Sequence, residues 1–367
     1  MHKKTWVFEV PKGKKVLIVG TGTIGEPLIH LFTKERKEIG LGEIFFYKRS
    51  PLEEEADKVK DMTEAGALLI VENKEKEKKF LELGLYPVGT FPKIAKSVDV
   101  IVDCTPEGNK LKEKFYNSLP KVKGFIAQGS EKDFGKPYAW TINDSALTPE
   151  NRFIQIVSCN THQMLCVIKS ITMAHGYLNL QYGIFTIFRR ASDISEDKGI
   201  LGVEFEKYSH PPYGSHQADD AARVLRTLYK DREFFPISAQ ALKAPTQLMH
   251  TFCFNLELKS GIDLAEARER LCKNPLVAFT KFKSSNKVFA RARDSSRSIL
   301  GRILNQTVFC EQTLGVSDNG LRISGGCFTP QDGNALLSSV AATLWLLDPK
   351  TYLEKMKVFD KFLFDKI

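Results

Sequence analysis

The sequence predicts an α/β protein in which a doubly wound parallel sheet is followed by an α+β domain with a mostly antiparallel sheet. Two observations indicate the first domain: short apolar runs alternate with helical stretches, and each run ends in glycine or polar residues. A third observation indicates the second domain, because the segments beyond about Phe153 are longer, β-rich and alternating in polarity. We expect the first domain to span residues 1–158 and the second 159–330, with a C-terminal helix in 331–367 that packs back on the first.

The first βαβ unit lies at the start of the first domain. Val16–Val19 is a short apolar run, Ile24–Phe32 has helical periodicity, and Glu43–Tyr47 is a second strand candidate. Beyond Pro51 the acidic and basic residues alternate through a predicted helical stretch that contains Leu68–Val71.

Two further strands are predicted at Val98–Val102 and Gly124–Ala127, each followed by a polar loop. The carboxyl ends of parallel strands meet at one edge of such a sheet, where ligands bind. In the second domain, strands are predicted at Tyr182–Phe188 and Gln247–Leu258, and Leu336–Leu347 returns to a helical pattern.

The composition is that of an ordinary globular protein. The 367 residues are 43% hydrophobic and 26% charged, with a net charge of +9 that suits an anionic partner. Many lysines lie beside glutamates, as in Glu72–Lys79 and Glu354–Lys366, which is typical of solvated helix faces. We therefore expect no nucleic-acid partner.

Targeting and metal signals are not predicted either. Met1–Lys15 has no apolar run of signal-peptide length, and no later stretch is long enough to cross a bilayer. The seven cysteines form no CxxC pair, so neither a disulfide framework nor a metal site is predicted. We expect a cytoplasmic protein with no membrane partner.

Gly20 to Gly25 form a Gly-x-Gly-x-x-Gly pattern between the first strand and the first helix, completed by Thr23 and Ile24. The first glycine permits a tight turn, the second lets the backbone approach a pyrophosphate, and the third allows close packing of helix on strand. A glycine-rich turn without a ligand is the alternative. The order of strand, motif, helix and strand favours a Rossmann-type dinucleotide site.

The end of the second predicted strand bears on the choice of cofactor. Many NAD-specific enzymes have an acidic residue here, whereas this chain has Lys48 and Arg49, followed by Ser50. Two cations and a hydroxyl suit a 2′-phosphate, so the sequence favours NADP, with NAD possible. A basic surface turn is the alternative.

Cys159 follows a strand-like run, Phe153–Val157, at the predicted boundary between the first domain and the second. A cysteine at a strand-to-helix turn gains thiolate character from the helix N-terminus and can attack a carbonyl carbon. Burial in the core is the alternative, and it is the fate expected of the following cysteines: Cys104, Cys253, Cys272, Cys310 and Cys327. Cys166 is expected to be a packing residue or a redox neighbour of Cys159.

Seven motifs occur in an order that resembles the archaeal-type phosphorylating glyceraldehyde-3-phosphate dehydrogenases. The resemblance covers roughly residues 15–260, and the motifs are specific in combination rather than singly. They are Gly20–Gly25, Asp103–Gly108, Gln128–Lys132, Ser158–Thr161, Arg189–Asp193, Ser215–His216 and Leu248–His250.

This resemblance implies a role for each motif. Cys159 would be the nucleophile, His250 the base that favours its thiolate and moves a proton, and Asn160 a donor to the developing oxyanion. Phosphate groups of a phosphorylated aldehyde and inorganic phosphate would be bound by Thr161, Arg189, Arg190 and His216. Besides Lys48, the cofactor would contact loop residues after two strands: Thr105, Pro106, Gly108, Gln128 and Gly129. A homotetramer is also implied.

The sequence departs from the family's pattern mainly around the substrate. His162 and Gln163 follow the nucleophile motif in place of threonine and glycine, and Gln217 replaces a second histidine. Two alternatives to oxidation of glyceraldehyde 3-phosphate therefore stay open. One is a related semialdehyde or acyl-phosphate dehydrogenase, and the other is an NADP-binding paralogue that senses or scaffolds.

Overall fold

A computed structural model of the chain describes residues 12–174, 177–191, 202–246 and 248–367. The first eleven residues, Ser192 and Asp193 of the predicted phosphate motif, and Gln247 lie outside the described residues. The chain divides into two compact units. The first comprises the chain up to Gly135 with Glu150–Gln155 and Ser339–Val358, and the second comprises Lys136–Pro149, Ile156–Ser338 and Phe359–Ile367.

The first unit has the predicted alternation of strands and helices. In chain order its elements are β1 (Lys14–Val19), α1 (Gly25–Glu35), β2 (Leu41–Tyr47), α2 (Ala56–Glu64), β3 (Leu68–Val71), α3 (Lys74–Glu82), β4 (Gly89–Thr90), α4 (Phe91–Ile94), β5 (Val100–Asp103), α5 (Gly108–Lys114) and β6 (Gly124–Ala127). After β7 (Lys136–Tyr138) the chain forms β8 (Phe153–Ile156). The strands pair in parallel in the order β4-β3-β2-β1-β5-β6-β8, which confirms the Rossmann-type prediction.

Burial on both faces explains why the central strands form where the apolar runs predict them. Val16–Val19 in β1 are each 0–1% exposed, and the strand pairs with β2 on one side and β5 on the other. The prediction was wrong at Leu68–Val71, which form β3 rather than part of a helix. The helix ends at Glu64, Gly66 turns the chain with φ +95°, and three of the four apolar residues are then buried in the sheet.

Residues 339–358 complete the core of the first unit. The Nζ atom of Lys123 donates to the carbonyl of Leu347 over 2.9 Å, directly before β6. A Cβ on Gly124 would lie 2.4 Å from Leu346, so glycine is required for this close contact. Aromatic rings fill the space beneath the sheet, with Phe125 stacked on Phe153 at a centroid distance of 4.9 Å.

The second unit combines long strands with helices that carry the candidate catalytic residues. Its elements continue as α6 (Cys159–Thr172), β9 (Met173–Ala174), β10 (Tyr177–Leu178), β11 (Leu180–Arg190), β12 (Glu204–Phe205), α7 (His216–Leu228), β13 (Ile237–Ala244), β14 (Met249–Leu258), α8 (Leu264–Cys272), β15 (Val277–Thr280), α9 (Ser285–Arg293), β16 (Thr307–Cys310), β17 (Gly315–Ser317) and β18 (Arg322–Pro330). The chain then forms α10 (Leu336–Leu347), most of which belongs to the first unit, and α11 (Tyr352–Met356), which belongs to the first unit entirely.

The main sheet of the second unit is mixed, with antiparallel pairs predominating. Its order is β12-β13-β11-β14-β18-β16-β15, and β17 pairs with β18. The long pairings of β14 with β11 and with β18 are antiparallel, whereas β11 runs parallel to β13. The predicted two-domain α/β class is confirmed. Within the described residues, no helix is long and apolar enough to span a membrane.

Candidate active site

The loop after β1 contains the three glycines of the predicted nucleotide site. Gly20 has φ +92°, in the left-handed region that favours glycine. A Cβ on Gly25 would lie 2.0 Å from the carbonyl oxygen of Gly20, whereas a Cβ on Gly22 would meet nothing within 4 Å. The protein's own packing therefore requires the first and third glycines. The second leaves exposed backbone in open space, as close approach of a pyrophosphate demands.

The start of α1 is suited to an anion. Ile24 occupies the N-cap position and no side chain caps the helix, while Thr23 precedes it in the loop. The first amide groups of a helix need acceptors from outside the helix, and the helix dipole favours a negative charge at this end. The geometry of this loop thus fits the diphosphate of a dinucleotide.

The cations at the end of β2 have acidic partners that the sequence reading did not predict. The side chain of Lys48 is 11% exposed and donates to Glu55, which Lys58 also approaches at 3.7 Å. Burial acts to raise the pKa of Glu55, but the bond to Lys48 and the two lysine charges outweigh it, so the pKa is lowered. Arg49 is exposed and lies 3.7 Å from Glu107. A carboxylate therefore does reach this edge of the sheet, from the start of α2.

A buried carboxylate organises the loop after β5. Asp103 accepts two hydrogen bonds from Thr105, one from the backbone N–H at 2.9 Å and one from the side-chain hydroxyl at 2.6 Å. It accepts a third from the hydroxyl of Tyr116 at 2.7 Å. Burial raises the pKa of Asp103, while these hydrogen bonds act in the opposite direction. The methyl group of Thr105 would be 2.8 Å from a Cβ on Gly20, and Pro106 is exposed at the tip of the loop. The β1 and β5 loops therefore adjoin.

Three further cofactor candidates on this edge are held in place by packing or by hydrogen bonds. Gly108 begins α5 against β6, where a Cβ would find atoms at 3.2 Å. The side-chain amide of Gln128 donates to Ser339 over 3.2 Å, and the carbonyl of Gly129 accepts from Gln155 over 3.5 Å. The three loops lie at the carboxyl ends of β1, β5 and β6, as predicted for a ligand edge.

Cys159 is the first residue of α6, directly after β8. Ser158 is the N-cap, and its hydroxyl accepts the N–H of Thr161 over 3.4 Å and lies 2.9 Å from the Thr161 hydroxyl. This is the usual geometry of a serine cap. Cys159 remains partly exposed. The helix N-terminus stabilises negative charge at this position, so the local structure favours a thiolate.

Asn160 and Thr161 face away from bulk water in the same turn. Asn160 is 3% exposed, and within the described residues its Oδ1 has no hydrogen-bond partner. A buried carbonyl oxygen without a donor is costly, and a donor group on a ligand could satisfy it. The hydroxyl of Thr161 donates to the carbonyl of Gln217 over 3.4 Å, beside His216 at the start of α7. The structure therefore brings Thr161 and His216 to neighbouring helix N-termini.

His250 lies in β14 beside the end of β11. Its Nδ1 accepts the backbone N–H of Arg190 over 3.0 Å, so the neutral ring carries its proton on Nε2. Burial is the largest cause that lowers the pKa of His250 to about 3, and the charges of Arg189 and Arg190 lower it further. At neutral pH this histidine is therefore uncharged and has a single donor nitrogen.

Arg189 is already paired. Its guanidinium forms a salt bridge with Glu206, and the two side chains are 32% and 21% exposed. Glu206, Ser215 and His216 line a cavity of about 300 Å³. His216 thus lines the same cavity as Glu206, the carboxylate that pairs with Arg189.

The remaining cysteines differ in exposure, and Cys104 is of intermediate exposure. Cys166, Cys310 and Cys327 are buried, and burial raises the pKa of Cys166 to about 11. The prediction of a core position was wrong for Cys253 and Cys272, which are exposed, because Cys253 points outward in the alternation of β14 and Cys272 ends α8. Within the described residues, no group of three or more histidine, cysteine or acidic side chains could hold a metal ion.

No protein-family profile matches the chain, but curated proteins do. Each of the three that follow is named glyceraldehyde-3-phosphate dehydrogenase. The protein of Methanobacterium formicicum is 28% identical over 320 residues, covering 85% of this chain and 86% of the relative. That of Picrophilus torridus is 27% identical over 232 residues, covering 63% and 64%, and that of Saccharolobus solfataricus is 30% identical over 229 residues, covering 60% and 62%. In the last two, the match spans less than two thirds of the relative's length.

The chain resembles the archaeal glyceraldehyde-3-phosphate dehydrogenases. This confirms the resemblance that the motifs indicate.

His162, Gln163 and Gln217, three positions at which the sequence departs from the expected family pattern, are buried. His162 is 4% exposed and Gln217 is 1% exposed. Gln163 is fully buried, and within the described residues neither polar atom of its amide has a hydrogen-bond partner. A buried amide without hydrogen-bond partners costs free energy.

Proposed function

We propose that this protein is an NAD(P)-dependent glyceraldehyde-3-phosphate dehydrogenase. It would oxidise glyceraldehyde 3-phosphate with inorganic phosphate to 1,3-bisphosphoglycerate, reversibly, through a thioester on a cysteine. The observation that carries the proposal is Cys159 as the first residue of a capped helix, in the same unit as His250 and two arginines. The named relatives support the same activity.

Cys159 supplies the nucleophile in this proposal. Its thiolate adds to the aldehyde carbon and forms a hemithioacetal, and loss of a hydride from that carbon leaves a thioester. An oxygen of inorganic phosphate then attacks the thioester carbon, and the thiolate leaves with the electrons of the carbon–sulfur bond. The Nδ2 group of the Asn160 amide would donate a hydrogen bond to the oxygen that becomes negative during these additions.

His250 starts the cycle as a neutral hydrogen-bond donor, because Nδ1 is occupied by the N–H of Arg190. The charges of Arg189 and Arg190 are part of the cause of its low pKa. Phosphate groups bound beside these arginines would offset that charge and raise the pKa of His250. To accept a proton during the cycle, the ring would have to release the N–H of Arg190 from Nδ1, because Nε2 already carries a proton.

The dinucleotide would be held by the loops of the first unit, with Gly20, Gly22 and Gly25 at the diphosphate. When bound, it supplies a nicotinamide that accepts the hydride. NADP is the preferred cofactor in our proposal, because Lys48 and Arg49 suit a 2′-phosphate. NAD is also possible, since Glu55 offers the ribose hydroxyls a carboxylate.

One observation favours a second candidate. Arg189 is bound to Glu206, so a substrate phosphate must displace a carboxylate before it can use this guanidinium. A related semialdehyde substrate without a phosphate group would not require that exchange.

The test is NADP reduction by the purified chain with glyceraldehyde 3-phosphate, with and without inorganic phosphate. Phosphate-dependent reduction that Cys159→Ser abolishes is the expected result. Reduction of a semialdehyde without reduction of glyceraldehyde 3-phosphate would favour the second candidate. Binding of NADP without turnover of either compound would indicate a sensing or scaffolding paralogue. A cytoplasmic homotetramer is part of the proposal, and light scattering on the eluted protein tests the oligomeric state.

A further inference from the structure

His162 is a buried histidine in the first turn of α6, three positions after Cys159. It replaces a threonine of the family's pattern and is 4% exposed. Burial is the largest influence on its pKa and lowers it to about 4. The ring is therefore neutral, with one nitrogen that donates a hydrogen bond and one that accepts.

The partners of Ser338 determine which nitrogen carries the proton. The Ser338 hydroxyl oxygen accepts the backbone N–H of Trp140 at 3.1 Å and the side-chain amide of Asn305 at 3.0 Å. A hydroxyl has two lone pairs and one hydrogen, so its hydrogen is left for Nε2 of His162, which lies 2.7 Å away. Nδ1 of His162 consequently carries the ring proton and donates to the carbonyl of Ser158 over 3.0 Å.

The orientation of the Asn305 amide supports this assignment. Its Oδ1 accepts the backbone N–H of Leu337 over 2.7 Å, so the amide nitrogen must be the atom that faces Ser338. These contacts are all consistent with one arrangement of protons in the network.

The carbonyl of Ser158 accepts two hydrogen bonds. One comes from the backbone N–H of His162 at 2.9 Å and the other from Nδ1 of the same residue at 3.0 Å. This carbonyl belongs to the planar peptide that joins Ser158 to Cys159, so its direction determines the direction of the Cys159 N–H and the placement of the Cys159 Cα. Two donors on the carbonyl also polarise the peptide and strengthen the N–H as a donor.

We propose that His162 is a positioning residue for the Cys159 nucleophile. Its Nδ1–H fixes the carbonyl of the Ser158–Cys159 peptide, and the Ser338 hydroxyl fixes the ring through Nε2. This inference rests on the proposed function, in which Cys159 attacks the substrate. His162 itself is not placed in contact with substrate. It orients the thiol and the first amide of α6, which would face the reacting carbonyl.

The test compares His162→Leu and His162→Asn in the full-length chain. The rate of alkylation of Cys159 by iodoacetamide is measured by peptide mass spectrometry, with the exposed Cys253 and Cys272 as internal references. His162→Leu should slow alkylation of Cys159 and lower kcat by about tenfold each, with KM within about twofold, since misplacement acts on the reacting step. His162→Asn should restore most of both rates, because its amide nitrogen can replace Nδ1.

Thr172→Val is the matched control. It removes a buried hydrogen bond of 2.7 Å to the carbonyl of Ile168 at the far end of the same helix. If general weakening of α6 were the cause of slower alkylation, this variant would also alkylate Cys159 more slowly. Wild-type rates are expected for this variant. If His162→Leu does not fold, Ser338→Ala replaces it, with a smaller loss at Cys159 as the expected result.

Two results would overturn the inference: alkylation of Cys159 at the wild-type rate in His162→Leu or Ser338→Ala, or failure of His162→Asn to restore the rate. Alkylation requires no aldehyde substrate. A protein that never oxidises glyceraldehyde 3-phosphate would therefore refute the proposed function, while the alkylation rates would still decide the role of His162.

Discussion

Two buried histidines should make the second unit sensitive to mild acid. The pKa of His162 is lowered to about 4 and that of His250 to about 3, in both cases chiefly by burial, from an ordinary value of 6.5. Because the folded pKa values lie below the unfolded value, the unfolded chain binds more protons once the pH falls below 6.5. The stabilisation is complete above that pH and is lost progressively as the pH falls toward 4 and 3.

The magnitude follows from proton linkage. Between pH 7 and pH 5 each histidine becomes protonated in the unfolded chain but stays neutral in the folded protein. This lowers the free energy of unfolding by about 2 kcal/mol for each histidine, or about 4 kcal/mol for the pair. Both side chains are at most 4% exposed, so solvent screening reduces the effect little.

The assay is urea denaturation at pH 7 and at pH 5, followed by circular dichroism, for wild type and His162→Asn. The variant cannot titrate at this position, so its free energy of unfolding should fall by about 2 kcal/mol less than that of wild type over the same interval. Contributions from carboxylates are common to both proteins and cancel. Thr172→Val, which removes no titratable group, should keep the wild-type pH dependence.

A parallel loss of stability in His162→Asn and wild type between pH 7 and pH 5 would refute the reasoning. It would mean that His162 accepts a proton in the folded protein as readily as in the unfolded chain. At pH 5 the protonated ring would then be unable to accept the hydrogen bond from Ser338 at Nε2.

The other predictions concern the cofactor loops and the nucleophile. Cys159→Ser should abolish turnover but leave the Kd for NADP within about twofold, since it removes only the thiol; a large loss of NADP affinity would contradict its role. Lys48→Ala should weaken NADP by about tenfold or more and NAD far less, as measured by calorimetric titration; equal losses would exclude a ribose-phosphate contact. Gly25→Ala should lower the free energy of unfolding by about 1–3 kcal/mol, because the added Cβ would lie 2.0 Å from the carbonyl oxygen of Gly20. Gly22→Ala should leave the free energy of unfolding unchanged and weaken dinucleotide binding. Urea denaturation and calorimetric titration test both glycine variants.

Much of the first unit could be read from local patterns. The apolar run Val16–Val19, the glycine spacing after it and the strand Gly124–Ala127 are each determined by neighbours in sequence, through burial, backbone freedom and periodicity. The helix Leu336–Leu347 has the predicted bounds for the same reason. Leu68–Val71 was misread because a short apolar run fits either a buried strand or a helix, and only the neighbouring strand β2 decides between them.

The amino-acid sequence by itself determined the order of strands and helices, the glycine turn and the cysteine at the start of α6. Only the tertiary structure decided the partners of the polar side chains: Glu55 on Lys48, Glu206 on Arg189, and Ser338 on His162, which is 176 positions away. The physical reason is that periodicity and capping act over a few residues. The charge state of a buried group depends on whichever atoms the fold places around it, however distant they are along the chain.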